Sequence, residues 1–261
     1  EKADYFVYEA DEYDRNFLNF SPEVSIISGI DYDHPDIYPT REDYNTAFRD
    51  FICQSNHEFG HPEDFEKIGL TSEPETVDIN KLTLIGNVNR ANAQLVVEAL
   101  SELLDKTTDQ LIEILNSFPG VARRFEKIAE NIYSDYAHTP EKIRGALQIA
   151  HEVAGDNVVV VYEGLHNTRQ HFIKEDLKTL FKDVKMLYIV PSYLAREDES
   201  LEMLTPEKLC EITSAPTDRE PANLDENLKS QILSLKSQGN LVLCLSAGGG
   251  GSLDEWLRIN F

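Results

Sequence analysis

Beyond Phe118-Pro119-Gly120, short apolar runs alternate with longer segments of helical spacing, and few folds accommodate that order. Ile128–Ser134, Asn157–Tyr162, Met186–Val190 and Leu241–Leu245 read as strands, being β-branched and too short for helices. Between and after them, Pro140–Ala154, Ile173–Lys182, Asn223–Gln238 and Leu253–Ile259 read as helices, with Pro140 at the favoured first position. Strands alternating with helices of that length imply a parallel sheet wound with helices on both faces. Phe118-Pro119-Gly120 itself is the best boundary signal in the chain.

Upstream of it the pattern is less regular. Tyr5–Tyr8 and Val24–Ser28 read as buried strands, Arg41–Cys53 as a helix, 55–80 as loop, and Leu82–Ile85 as a short strand. Asn89–Leu104 and Thr108–Asn116 read as helices, the latter capped by Thr107 or Thr108. The expected architecture is therefore α/β: a partial α/β domain over 1–117, then a complete small one over 118–261.

Each of the first two strands is expected to end in carboxylates. Glu9-Ala10-Asp11-Glu12-Tyr13-Asp14 follows one, and Asp31-Tyr32-Asp33-His34-Pro35-Asp36 the other. Taken singly, either is as well read as a solvated turn in a chain with a formal net charge of −23. As a pair on strand ends, where α/β sheets place their ligand crevice, they favour a hard divalent cation held against a phosphate.

Arg123-Arg124-Phe125 offers two guanidinium forks for phosphate, or for surface carboxylates. Asp135-Tyr136-Ala137-His138-Thr139-Pro140 sets a carboxylate, a phenol and an imidazole at a strand-to-helix turn, where His138 either caps the helix or exchanges a proton. Asn89 and Asn92, one helical turn apart, read an adenine edge or cap a helix.

Two tempting motifs fail. Gly248–Gly251 lacks the spacing of a dinucleotide fingerprint, because Leu253 stands where the third glycine belongs, and it reads as a tight turn. His57-Glu58-Phe59-Gly60-His61 matches H-E-x-x-H, but Gly60 and Pro62 are poor chemistry for the helix that a zinc protease requires.

The strong negative charge argues against duplex nucleic acid and anionic membranes, which reward a basic face. No apolar run approaches the roughly 20 residues of a membrane span. Three widely spaced cysteines, Cys53, Cys210 and Cys244, form no disulfide or metal pattern and suit a reducing cytoplasm. The start, Glu1-Lys2-Ala3-Asp4, has no initiator Met and neither the basic start nor the apolar core of a signal peptide, which suggests a piece of a longer polypeptide.

In chain order, Glu9-Ala10-Asp11-Glu12-x-Asp14, Asp33-His34-x-Asp36, Gly86-x-x-Asn89-x-x-Asn92-Ala93, Arg123-Arg124-Phe125 and Asp135-Tyr136-Ala137-His138-x-Pro140 resemble the Mur ligases. These are ATP-dependent amide-forming enzymes of peptidoglycan precursor synthesis. The first and fourth motifs are most like the branch that adds L-alanine to UDP-N-acetylmuramate. The recycled-tripeptide branch shares E-A-D-E-Y-D, and D-Y-A-H-T-P is nearer the third-residue branch.

The resemblance implies a partial central ATPase domain followed by a Rossmann-like C-terminal domain, with ATP and Mg2+ as cofactors and an acyl phosphate as intermediate. Glu9 and His34 would hold the metal. Asn89 and Asn92 would approach the adenine, and Arg124 the phosphates. Asp135 would lie at the nucleotide–substrate edge, with Tyr136, His138 and Arg169 near the incoming amino acid; Asp135, His138 and Arg124 are the catalytic candidates. UDP-N-acetylmuramate and L-alanine are the implied partners, with a non-catalytic binding module as the alternative.

Departures accompany the match. No G-x-x-x-x-G-K-[ST] loop occurs, so these residues alone are expected to be inactive. The segment between His34 and Gly86 is short for the family. Asn87 and Val88 replace a basic residue and a His, and Leu165–Arg169 keeps the family's P-H-R-x-T-R pattern only in part.

Overall fold

A computed structural model describes residues 4–34, 37–72, 76–195, 197–214, 216 and 218–261. The chain divides into two compact units, Glu1–Leu84 with Asn89–Phe118, and Ile85–Val88 with Pro119–Phe261.

The second unit holds the six-stranded sheet. Its strands are β3 (Glu126–Ala129), β4 (Ile132–Asp135), β5 (Val158–Leu165), β6 (Met186–Tyr193), β7 (Arg219–Pro221) and β8 (Leu241–Leu245). They lie in the order β3-β4-β8-β5-β6-β7, parallel throughout except for the β3–β4 hairpin. α5 (Pro140–Ala154), α6 (Asn167–Phe172), α7 (Lys174–Leu180), α8 (Pro206–Ile212), α9 (Glu226–Ser237) and α10 (Leu253–Asn260) complete this unit.

Both faces of the sheet are covered, and the side-chain alternation of β5 shows how. Val158, Val160 and Tyr162 pack with Ile143 and Ala150 of α5, Leu177 of α7 and Leu209 of α8. Val159 and Val161 pack with Leu228 and Ile232 of α9 and Leu257 of α10. A strand buried on both faces must be apolar at every position, which is why its sequence is a continuous run rather than an alternating one.

In the first unit, β1 (Val24–Ile27) pairs in parallel with β2 (His57–Gly60). It also contains α1 (Arg41–Cys53), α2 (Pro62–Lys67), most of α3 (Asn87–Leu103), and α4 (Thr108–Asn116). An aromatic cluster of Phe17, Tyr38, Tyr44, Phe48, Phe51 and Phe65 forms one core, and Leu82, Ala93, Val97, Leu111 and Ile112 form another.

Several elements differ from the sequence-based expectation. Tyr5–Tyr8 is no buried strand: it makes no ladder, and Phe6 and Val7 are 88% and 92% exposed. High β-propensity is realised only against a partner strand, and β1 pairs with β2 instead. The first acidic cluster therefore leads into a short 3-10 stretch, Tyr13–Asn19, rather than tipping a strand.

Nor is Leu82–Ile85 a strand. Asn116 of α4 occupies its backbone, accepting from Thr83 N at 2.8 Å and donating to Lys81 O at 3.0 Å. Residues 55–80, expected as loop, contain β2 and α2. Ile128–Ser134 is a hairpin, β3 and β4, turning at Asn131 with φ 57°. β7 and α8 had no counterpart in the expectation.

Candidate active site

Each unit carries its own share of the residues singled out above. In the first unit, Glu9, Ala10, Asp11 and Glu12 line an open cavity of about 340 Å³. His34 adopts a left-handed backbone (φ 56°), fixed by its amide donating to Asp33 Oδ1 at 2.8 Å. Its Nε2 lies 3.5 Å from Glu12 Oε1 and 4.0 Å from Asp33 Oδ2, and its ring meets Tyr13 edge-on at 5.0 Å. The bond from His34 holds the Glu12 carboxyl below the usual carboxylate range, against the desolvation of partial burial.

The imidazole thus meets Glu12, a residue of the acidic motif to which no role was given, while Glu9 is exposed on the adjoining segment. No group of three or more His, Cys, Asp or Glu side chains among the described residues is placed to hold a metal ion. A magnesium ion needs fewer from the protein, since it keeps waters and takes phosphate oxygens alongside one or two carboxylates. Asp36, in the second acidic cluster, lies outside the described residues.

Asn89 and Asn92 stand on α3, which begins two residues before Asn89. Asn92 Oδ1 lies 3.4 Å from His61 Nε2. The His57–His61 motif occupies β2 and the N-cap of α2, so its two imidazoles do not share a helix face.

In the second unit, the groups converge at the C-terminal end of β4. Asp135, 6% exposed, accepts from Phe125 N through Oδ2 at 2.7 Å and from Ala137 N through Oδ1 at 2.8 Å. It ties the Arg123–Phe125 loop, where Arg123 and Phe125 have φ of 57° and 47°, to the turn that follows β4. Burial pushes its carboxyl up, though the two amides and Arg124 oppose this.

Tyr136 carries both arginines, with guanidinium carbons 4.6 Å (Arg123) and 5.5 Å (Arg124) from its ring centre. His138, 8% exposed, has Nδ1 2.9 Å from Tyr136 O. A carbonyl only accepts, so Nδ1 bears the hydrogen and Nε2 is the basic nitrogen of the neutral ring.

Arg169 is half-exposed on α6, next to Thr168, whose amide and hydroxyl both donate to Glu197. His166 Nδ1 is 3.5 Å from the same carboxylate. Burial works against ionisation of Glu197, but the amide donors prevail and hold its pKa down.

Sequence reasoning missed a buried polar cluster at the ends of β5 and β8. Glu163 Oε2 accepts from Ser246 Oγ at 2.6 Å, and Glu163 Oε1 from Leu253 N at 2.9 Å. Arg123 donates to the carbonyls of Ser246 (2.8 Å) and Gly248 (3.0 Å), with Nε 3.6 Å from Asp254 Oδ2. Asp254 in turn takes Ser134 Oγ at 2.6 Å and Arg258 Nε at 3.0 Å. A Cβ on Gly248 would lie 2.6 Å from the Tyr193 ring, so the turn there needs glycine. The available signal was Glu163 itself, a charge closing an otherwise apolar run.

No family model matches the chain. It is similar to the UDP-N-acetylmuramate–L-alanine ligase of Lactobacillus acidophilus, at 28% identity over 74% of this chain and 53% of that protein. It is similar to the ligase of the same name from Myxococcus xanthus, at 27% identity over 98% of this chain and 64% of that one. The chain thus spans between half and two-thirds of these relatives.

Its fold is that of the UDP-N-acetylmuramate-alanine ligase of Thermotoga maritima (TM-score 0.69, 22% identity, 97% of this chain, 62% of the other). The fold also matches a bifunctional folylpolyglutamate synthase/dihydrofolate synthase of Yersinia pestis, solved with AMPPNP and a manganese ion (TM-score 0.56, 15% identity, 89% and 61%).

Proposed function

We propose that this chain, a relative of the Mur ligases, is the part of an ATP-dependent ligase that completes the nucleotide site and receives the amine, joining L-alanine to UDP-N-acetylmuramate in peptidoglycan precursor synthesis. The observation that carries this reading is the turn after β4. It gathers Arg124, Tyr136 and His138 at the end of a parallel strand, where α/β folds bind ligands, and the motif resembles those of the Mur ligases. In this reading the first unit is part of the central ATPase domain and the second is the C-terminal Rossmann-like domain.

The reaction asks little covalent chemistry of the protein. A substrate carboxylate attacks the γ-phosphate of ATP, ADP leaves, and the amine displaces phosphate from the acyl phosphate. Phosphoryl transfer of this kind is carried by positioning and charge neutralisation. Arg124, exposed and stacked on Tyr136, meets phosphate oxygens. Asp135 holds the arginine loop in its strained backbone. His138 Nε2 takes the proton that the attacking ammonium must shed, and Tyr136 and Arg169 orient the amino acid.

Asn89 and Asn92 face the adenine. Glu9 and His34, with Glu12 as the partner of His34, would hold the magnesium ion, which neutralises phosphate charge when bound. A cytoplasmic setting fits these substrates and the three cysteines, which are all free thiols. No helix among the described residues is long and apolar enough to cross a membrane.

Phosphate release by the protein expressed from its complete gene tests the reading, with ATP, magnesium and UDP-N-acetylmuramate, across L-alanine, glycine, L-serine and murein tripeptide. Release should depend on L-alanine and fall at least about 100-fold in Glu9→Ala and His34→Ala. Residues 1–261 alone, lacking a phosphate loop, should release none. Absence of release with every acceptor from the folded complete protein would favour a non-catalytic binding module.

A further inference from the structure

Glu163 belongs to none of the roles above. It sits in β5 beside β8, is 4% exposed, and has both carboxylate oxygens engaged, one by the Ser246 hydroxyl and one by the Leu253 amide. Leu253 opens α10, whose N-cap Ser252 makes no side-chain capping bond. Glu163 therefore does from a neighbouring strand what a capping side chain ordinarily does from within the helix. The end of a helix behind a glycine-rich turn attracts an anion; at the Leu253 amide that anion is internal.

Ser246 is also where the cluster turns toward the candidate site. Its hydroxyl is bound to Glu163, while its carbonyl, together with that of Gly248, accepts the Arg123 guanidinium. Arg123 lies under the Tyr136 ring, and the Tyr136 amide donates to Arg123 O at 2.8 Å. One line of contacts thus runs from Glu163 through Ser246 and Arg123 to Tyr136. A second route, Arg123 Nε to Asp254 and from there to Arg258 and Ser134, ties the same guanidinium to α10 and β4.

We propose that Glu163 is a positioning residue for the amine-side substrate: through Ser246 it fixes the turn on which Arg123 rests, and so sets where Tyr136 stands. This rests on the ligase reading, in which Tyr136 contacts the incoming amino acid. Glu163 touches neither substrate nor nucleotide.

The test compares Glu163→Gln and Ser246→Ala with wild type in the protein from the complete gene, measuring kcat and separate KM values for L-alanine and ATP, with thermal melts of each. Wild type is assayed first, and no alanine-dependent phosphate release there rejects the ligase reading itself. Given an active wild type, both variants should melt cooperatively and raise the alanine KM about tenfold, the worth of one charge-assisted hydrogen bond, with the ATP KM unchanged. An unchanged alanine KM overturns the proposal, and so does a loss confined to kcat, which is what a capping role alone would give. If Glu163→Gln does not fold, Ser246→Ala decides by the same division, because it keeps the carboxylate and both carbonyls that hold Arg123.

Discussion

A carboxyl in an apolar strand holds its proton more tightly in the fold than in the unfolded chain. Burial raises the pKa of Glu163 above its ordinary value of 4.5, against the donors Ser246 and Leu253 and the charge of Arg123, with Asp254 adding to the rise. The folded state then binds more protons than the unfolded one between the two pKa values. The resulting stabilisation is complete below the ordinary value and is lost as pH rises through the folded one. Glu163→Gln cannot titrate, so urea melts from pH 4 to pH 8 should show wild type losing ground to the variant as pH increases. Asp135, also raised by burial, contributes equally to both proteins and cancels from the difference. A constant difference would mean that Glu163 binds its proton equally well folded and unfolded, and an opposite one that the fold lowers its pKa. Beyond Arg123 and the charge of Glu163 at the end of its run, this cluster was not legible beforehand, because Arg123, Glu163, Ser246 and Asp254 meet only once β8 is placed between β4 and β5. The Asp135–His138 turn, by contrast, is contiguous and could be read directly.

At the scale of elements, what could be read and what could not have one physical cause. β5 and β8 were legible because burial on both faces leaves an unbroken apolar run. Tyr5–Tyr8 has the same local signature and is no strand, since nothing local says whether a partner strand is present. β7, only Arg219-Glu220-Pro221, has no signature at all and exists by pairing with β6. The stretch around Lys81 makes no ladder either, and there one side chain, Asn116, bonds the backbone. Asn116→Ala would leave Thr83 N and Lys81 O to water and should cost about 1 kcal/mol in urea melts. A cost near zero would show that solvent replaces the amide fully. Helix ends were better marked: of the two threonines the sequence offered as caps for α4, Thr107 takes the place, in a capping box with Gln110.

Over the whole molecule the formal charge of −23 sets a background that no single contact removes. Like charges crowded into a compact volume repel, and salt screens them. The melting temperature at neutral pH should therefore rise by several degrees between low and about 0.5 M sodium chloride; a fall would mean that paired charges outweigh the repulsion. How that melt is watched matters. The chain has a single tryptophan, Trp256, and it lies on α10, packed against the second unit's core with its ring 5.9 Å from Phe261. Indole emission consequently follows the unit that carries the six-stranded sheet. Circular dichroism registers the helices of both. Where the two curves separate, the gap between them measures how far one unit can melt while the other stands.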